Sequence, residues 1–158
     1  MKNLRTSVLC VCVTLYSLCS SAQTPGVIPV NEPDYNKPKL FQGMPDNVLV
    51  STDNLNSLFN TQVGFTVNVN LSDASSFPFQ GEVISAVSKY SNKIQSVVIR
   101  STNYNGAKLT ITKVTDENGA AVFRGRILSL QHGDLYELQY ADGRYALVKR
   151  KLHDLVNE

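Results

Sequence analysis

The sequence predicts an all-β protein: an antiparallel meander that forms a small barrel or a strongly curled sheet, with one short helix before it. Three observations predict this class. Apolar and polar residues alternate with a period of two through most of residues 65–150. Gly and Asn clusters divide these runs into segments of strand length. The links between the runs are short, and short links join antiparallel neighbours.

A secretory leader is expected at the N-terminus. Lys2 and Arg5 precede an apolar run at 7–18, SVLCVCVTLYSL, which is too short to span a bilayer. The small residues Ser20-Ser21-Ala22 follow, so cleavage is predicted after Ala22 and the signal peptide is predicted over residues 1–22. A periplasmic or secreted location follows from this prediction.

The cysteines agree with a bacterial exported protein. All of them fall in the predicted leader, so the mature chain would form no disulfide and no thiolate metal site. A lipoprotein leader that uses Cys19 is disfavoured, because Leu18 stands where a small residue is required. The sequence has three cysteines, which are Cys10, Cys12 and Cys19.

The charge balance argues against a nucleic-acid partner. Without the two bases of the leader, 13 basic residues face 13 acidic residues. Residues 23–88 hold two bases and six acids, whereas residues 89–158 hold eleven bases and seven acids. This asymmetry is far below that of a nucleic-acid-binding protein. No transmembrane segment is expected in the mature chain.

A proline-rich arm is predicted between the leader and the folded domain. Residues 23–46 contain five of the six prolines, with Asn, Asp and Lys among them. This composition is typical of an extended, flexible linker. Residues 47–158 are then expected to form a single β domain, since a segment of this size can bury one core.

The short helix is predicted at residues 51–59. Ser51 or Thr52 can cap its N-terminus, and Asp53 suits the first turn. The apolar stripe at spacing i, i+3, i+4 is formed by Leu55, Leu58 and Phe59.

The strands follow in order along the chain. In the first, Phe65, Val67, Val69 and Leu71 are expected to face the core, while the residues between them face solvent. The remaining predicted strands cover 80–89, 94–102, 108–115, 121–131, 134–141 and 144–150.

Two hairpin turns can be tested against the core pattern. At 116–120, a two-residue Asn-Gly turn would set Lys113 opposite Arg124 and mix the two faces. A three-residue loop with Gly119 left-handed pairs Leu109 with Ile127 instead, and is preferred. At Asp142-Gly143, a two-residue turn is preferred because it pairs Tyr140 with Tyr145 and Leu138 with Leu147.

Two histidines are candidates for catalysis, but the sequence around them contains no catalytic motif. His132 precedes Gly133-Asp134, where a two-residue turn would pair Ile127 with Leu138 and give His132 a positive φ. His153-Asp154 lies near the C-terminus. Neither histidine accompanies a nucleophile motif or a zinc-ligand spacing. A turn residue is therefore preferred for His132, and an enzyme that depends on His132 or His153 is a minor alternative. No metal and no cofactor are expected.

Two features remain as candidate binding elements. Phe77-Pro78-Phe79 is either a core plug or an aromatic contact loop. Arg100, Arg124 and Arg126 fall on the polar face of their strands. If residues 103–107 form a five-residue loop, Arg100 lies opposite Thr110.

Arg126 would also lie opposite Thr110, with Arg124 beside Thr112, so that three guanidinium groups flank a threonine strip. No acidic residue of these strands lies among them, and Glu137 on the next strand is the nearest. Clustered arginines suit carboxylate or phosphate groups. The alternative is a merely solvated face.

Several stretches resemble small uncharacterised exported proteins of Bacteroidota-type bacteria. They are the Ala22-Gln23 cleavage site, the proline-rich arm, SVVIRSTNYNGAKLTI at 96–111 and GRILSLQHGDLYEL at 125–138. The resemblance implies export and carries over no residue role.

The expected function is therefore that of an exported, non-catalytic binding or accessory module of the cell envelope. Its expected partner is an envelope protein or an anionic glycan that docks on the arginine-bearing face. The alternative is a loop-based hydrolase inhibitor or a pro-domain-like regulator.

Overall fold

A computed structural model describes residues 36–155 of the 158-residue chain. The predicted signal peptide, residues 23–35 of the predicted arm and residues 156–158 lie outside the described residues. The described part belongs to one compact unit.

Within residues 36–155, the fold has eight strands and one α-helix, and a short 3₁₀ helix follows the last strand. The helix α1 spans Thr52–Leu58, and the 3₁₀ helix spans Leu152–Leu155. The strands are β1 (Asn47–Leu49), β2 (Thr66–Asn70), β3 (Pro78–Lys89), β4 (Ile94–Ser101), β5 (Lys108–Thr115), β6 (Ala121–Leu128), β7 (Asp134–Ala141) and β8 (Arg144–Lys151).

All eight strands belong to one antiparallel sheet, which confirms the predicted fold class. The spatial order is β1-β8-β7-β6-β5-β4-β3-β2, so strands β2 to β8 form a continuous meander. The sheet curls into a half-barrel. No ladder joins the described parts of β1 and β2; one antiparallel bridge, Val50 to Ser72, links the chain just after each of them.

Helix α1 forms as its sequence predicts. Ser51 is the N-cap, and its hydroxyl accepts a hydrogen bond from the Asn54 N–H at 3.3 Å. Leu55 and Leu58 are buried and Phe59 is partly buried against the same cluster, so the predicted stripe faces the core. The helix therefore packs its apolar face on the core of the sheet.

The core lies inside the curl and is aromatic at both ends. At the end where β3 starts and β8 ends, the Tyr136 ring lies 4.8 Å from Phe41 and 5.3 Å from Phe77. At the other end, Phe123 meets Tyr145 at a centroid distance of 5.4 Å. These edge-to-face contacts are a favoured geometry for aromatic rings.

The described part of the predicted arm, residues 36–46, packs against the sheet, so the packed region begins before residue 47. Phe41 is fully buried in the core, and the Lys149 N–H donates to the Asp46 carbonyl at 2.8 Å. The Gly133 N–H donates to the Pro38 carbonyl at 2.9 Å. Residues 36–46 are thus part of the domain, because proline restricts the backbone but does not prevent its carbonyls from accepting hydrogen bonds.

Two predicted registers are confirmed. Strands β5 and β6 pair Leu109 with Ile127, and Gly119 has a φ of 84° in the intervening loop. Strands β7 and β8 pair Leu138 with Leu147. Asp142 and Gly143 have φ values of 52° and 77°, as a two-residue turn of type I′ requires.

The predicted register at the β6–β7 link is wrong by two residues. Ile127 pairs with Tyr136 and not with Leu138. β6 ends at Leu128 and not at residue 131, and the chain turns through residues 129–133. His132 is a turn residue, as predicted, but it is not among the residues with positive φ.

Phe65 does not face the core and is 61% exposed. β2 begins one residue later, at Thr66, because the preceding Gly64 has a φ of 88° and the Phe65 N–H closes a turn onto the Gln62 carbonyl. The alternation of β2 is otherwise as predicted.

Candidate functional site: a basic face on the outer sheet surface

The three predicted arginines lie on the outer, solvent side of strands β4 to β6. Arg124 and Arg126 are two residues apart on β6, opposite Thr112 and Thr110 respectively. Arg100 lies near the end of β4. The structure therefore places the three arginines and the two threonines on the same face of three adjacent strands.

The residue opposite Arg100 is Lys108 and not Thr110, which corrects the predicted β4–β5 register. Thr110 pairs instead with Val98. Seven residues, 101–107, lie between the directly opposed Arg100 and Lys108, two more than predicted, and within them the side chain of Asn103 bonds to β3. Its amide donates to the Pro78 carbonyl, and its oxygen accepts from the Gln80 N–H.

Lys108 therefore joins the arginines to form what we call the basic face: Arg100, Lys108, Arg124 and Arg126. Directly opposite residues on one face of an antiparallel pair have Cβ atoms roughly 5 Å apart, and diagonal neighbours roughly 7–8 Å. Arg100 is directly opposite Lys108, and Arg126 is diagonal to Lys108. All four side chains are exposed, whereas Thr110 and Thr112 between them are half-buried.

Gly125 fixes the position of Arg124 and Arg126 against β5. A Cβ on Gly125 would lie 2.4 Å from Ile111 Cδ1 and 2.5 Å from the Thr110 carbonyl oxygen. The absence of a side chain lets the Ile111 side chain pack over the backbone of β6. Both arginines thereby project from a closely packed strand pair.

Two acidic residues border the basic face. Glu82 on β3 lies opposite Arg100, and Glu137 on β7 lies opposite Arg126. Glu137 is engaged on its other side, where its Oε2 accepts from Gln139 Nε2 at 2.9 Å and lies 3.8 Å from Arg150 Nε. Glu137 was predicted from the sequence as a neighbour of the arginines, whereas Glu82 was not.

Glu82 and Glu137 are neighbours of the basic face but form no salt bridge with it. Among residues 36–155, none of the four cations of the basic face forms an ion pair or a side-chain hydrogen bond. Guanidinium groups can each grip a carboxylate, sulfate or phosphate group with two hydrogen bonds. The arrangement can therefore bind several anionic groups of one partner.

Phe77 and Phe79, the other predicted binding residues, lie in the core and not on the surface. Their exposed fractions are 1% and 0%. Both rings contact Tyr104 at centroid distances of 6.0 Å. The structure does not bring them together with the basic face, and their burial agrees with the core-plug alternative.

Each histidine contacts a neighbour in the chain. His132 Nδ1 lies 2.8 Å from Ser129 Oγ, and the His132 N–H donates to the Ser129 carbonyl. Ser129 is 1% exposed, so this contact closes a turn and does not present a nucleophile to solvent. His153 Nε2 lies 3.1 Å from Asp154 Oδ1. Within residues 36–155, no three His, Cys, Asp or Glu side chains converge on a possible metal position.

Lys108 was not among the predicted binding residues, although its spacing from the two threonines predicts the face on which it lies. Lys108 precedes Thr110 and Thr112 by even steps, so period-two alternation puts it on their face. No such spacing indicates Glu82, because its position beside Arg100 depends on how β3 pairs with β4. That pairing includes a bulge between Val83 and Ser85.

Comparisons with known proteins found no matching family model, no matching curated protein and no matching solved structure. In the part of the chain that the structure describes, no helix has both the length and the apolar character needed to cross a bilayer.

Proposed function

We propose that this chain is an exported, non-catalytic binding or accessory module of the cell envelope that docks an acidic partner on its basic face. The observation that carries the proposal is the direct pairing of Arg100 with Lys108 beside Arg126, without an ion pair to any of the three among residues 36–155.

Like charges directly opposite one another destabilise a sheet. A domain that needed only a solvated face could place Ser, Thr or Gln at these positions, as it does at Ser96, Thr110 and Thr112. The repulsion between Arg100 and Lys108 is relieved when an anion lies between them. The basic face is therefore better suited to the bound state than to the free state.

The partner that fits is one with repeated anionic groups, either an anionic glycan or an acidic surface of an envelope protein. Arg100, Lys108, Arg126 and Arg124 follow one another across three strands, so they can contact successive charges along a polymer. Binding of this kind weakens with salt, because exposed charges are screened over about 10 Å at 0.1 M ionic strength.

The test is the double substitution Arg100→Glu with Arg126→Glu, with retention measured on a sulfated polysaccharide matrix and on immobilised polyglutamate. The wild-type chain is expected to be retained on at least one matrix and to elute with increasing salt. The variant is expected to lose retention at low salt and to keep its melting temperature, since exposed charges contribute little to folding. The matrix that retains the wild type distinguishes a glycan from an acidic protein surface.

The matched control is Arg144→Glu with Lys151→Glu, which changes the net charge equally at two exposed positions of β8. This control should keep most of the retention. Equal losses in both variants would reduce the effect to net charge, and unchanged retention in Arg100→Glu with Arg126→Glu would leave the basic face merely solvated.

A further inference from the structure

The second half of β3 is an open sheet edge. β2 pairs only with Pro78–Glu82 of β3. Beyond them, the Val83 N–H donates to the Phe65 carbonyl and the Val83 carbonyl accepts from the Gly64 N–H. After the bulge that follows Val83, residues 85–89 pair with β4 alone. Within the described chain, nothing pairs with their other side.

The direction of the backbone groups on this edge follows from one cross-strand contact. The Thr102 N–H donates to the Gln80 carbonyl, so the even-numbered residues of β4 direct their backbone groups to β3. Their partners Ser85, Val87 and Lys89 use their own groups there. Ala86 and Ser88 therefore direct their N–H and C=O groups to the open edge.

Apolar side chains surround the open edge. Val87 is 45% exposed on the outer face, Phe65 is 61% exposed beside Val83, and Tyr90 is 73% exposed in the β3–β4 turn. Tyr90, Ser91 and Asn92 all have a positive φ in this turn. Such strained conformations cost free energy, and they collect at sites of function.

We propose that the open edge of β3 pairs antiparallel with the same edge of a second copy of this chain. In the register that places both Ala86 and Ser88 in hydrogen-bonded pairs, Ala86 lies opposite Ser88 of the second copy, and Ser88 lies opposite its Ala86. Both are hydrogen-bonded pairs, which together supply four backbone hydrogen bonds. Val87 then lies on the two-fold axis, opposite Val87 of the second copy.

The side chains of this edge are compatible with self-pairing. Lys89 lies opposite Ser85 of the second copy, so no two lysines face each other. The two Val87 side chains meet in a non-hydrogen-bonded pair, where side chains approach most closely. Ile84 lies opposite Tyr90 of the second copy. The contact is isologous, so it closes at a dimer.

The edges of β1 and β2 are less available for such a contact. β1 has three residues. At the end of β2, Asn54 Nδ2 donates to the Asn70 carbonyl and the Ser51 N–H donates to the Leu71 carbonyl. An uncovered strand edge can pair with a strand of another molecule. Of β1, β2 and β3, β3 is the longest strand.

The first experiment is sedimentation velocity on the full chain over a wide range of concentration. The wild type is expected to be a reversible monomer–dimer mixture, and Val87→Lys is expected to be monomeric because two lysines would meet on the axis. Val114→Lys is the matched control. Val114 is 42% exposed on β5, which has a strand paired on each side, so this variant should dimerise like the wild type.

The second experiment tests the register without relying on a charged variant. In a background with Cys10, Cys12 and Cys19 replaced by Ser, Val87→Cys should form a disulfide-linked dimer under mild oxidation, whereas Val114→Cys should not.

Three results would overturn the proposal. They are a wild type that is monomeric at every soluble concentration, a dimer that Val87→Lys retains, and a Val87→Cys variant that cross-links no faster than Val114→Cys. A wild type that is monomeric throughout is also the result expected if this edge pairs with a strand of a different protein.

Discussion

Asp134 is the one charged residue that is buried in the described chain, and it holds the segment before β1 against the sheet. It is 3% exposed, and its two carboxylate oxygens accept the N–H groups of Leu40 at 2.6 Å and Phe41 at 3.0 Å. The sequence predicts Asp134 only as the first residue of a strand. Its actual partners are more than 90 positions away, and no local pattern could have indicated them.

Replacing Asp134 by Ala should cost about 3 kcal/mol of unfolding free energy, because two buried N–H groups would lose a charged acceptor. Urea denaturation measures this change. Asp73→Ala is the control. Asp73 is exposed, and its backbone N–H donates to the Leu49 carbonyl while its side chain forms no hydrogen bond within the described chain. The unfolding free energy of this variant should stay within about 0.5 kcal/mol of the wild type. Similar losses for the two variants would contradict the anchoring role of Asp134.

Tyr136 gives the domain an alkaline limit. Burial raises the pKa of its hydroxyl to about 12, and the charges of Asp46, Tyr104 and Asp134 add to the shift. The unfolded chain releases this proton near pH 10, so stability is fully present below pH 10 and falls as the pH rises towards 12. The slope is at most about 1.4 kcal/mol per pH unit for this residue.

Denaturant titrations between pH 8 and 11 measure this dependence, and Tyr136→Phe should flatten it while it lowers stability at pH 8. If Tyr136→Phe keeps the full loss of unfolding free energy with rising pH, other groups cause that loss. Tyr104 is one such group, since burial also raises the pKa of its hydroxyl.

At the scale of the strand pair, the close approach of β5 and β6 depends on Gly125. A methyl group there would meet Ile111 Cδ1 and the Thr110 carbonyl oxygen. Gly125→Ala should therefore cost about 2 kcal/mol or more, through displacement of a packed strand. The strain should be partly relieved by Ile111→Val, which removes the Cδ1 atom.

A double-mutant cycle by urea denaturation checks this coupling. The double variant should lose less stability than the sum of the two single losses. Simple additivity would show that the Thr110 backbone, and not the Ile111 side chain, limits the space beside Gly125.

Short turns account for what the sequence could predict about the sheet. Asp142-Gly143 and the loop that ends at Gly119 each have few conformations that keep apolar residues on one face, so both registers are predictable. The loops at 102–107 and 129–133 are longer. Their conformations depend on distant groups, such as Asn103 bonding to β3 and Lys37 donating to the Leu130 carbonyl. Both of these registers were therefore wrong by two residues.

The same reasoning applies to the basic face. Alternation within β5 and β6 suffices to place Arg124, Arg126 and the two threonines together, because their hairpin is tight. Alternation within β4 also predicts that Arg100 lies on this face. Which residue lies opposite Arg100 depends instead on the β4–β5 register. The pairing of Arg100 with Lys108, on which the proposed function rests, was therefore visible only in the structure.

At the scale of the whole molecule, the segment before β1 completes the core of the half-barrel. Its composition predicts a flexible linker, since residues 23–46 contain five of the six prolines, with Asn, Asp and Lys among them. In the structure, Phe41 contacts the rings of Tyr136 and Tyr104 at 4.8 and 5.5 Å, and the Tyr136 hydroxyl donates to the Pro45 carbonyl. A single buried ring and a few backbone contacts are enough to order a segment that has no regular structure.

Phe41→Ala should therefore destabilise the whole domain by about 3–5 kcal/mol, as expected for an aromatic ring removed from a core. Phe65→Ala is the matched control, because Phe65 is 61% exposed and its loss should cost less than about 0.5 kcal/mol. Urea denaturation compares the two variants. Equal and small losses would restore the linker interpretation for residues 36–46.

Limited digestion with trypsin locates the effect in the chain. Lys37 precedes Pro38 and resists cleavage, so the Lys39–Leu40 bond reports on this segment alone. In the wild type the Leu40 N–H is bonded to Asp134, and cleavage requires local opening. Phe41→Ala should accelerate cleavage at this bond under conditions where the sheet remains folded, whereas Phe65→Ala should leave the rate unchanged. Rapid cleavage after Lys39 in the wild type would show that the segment opens independently of the sheet.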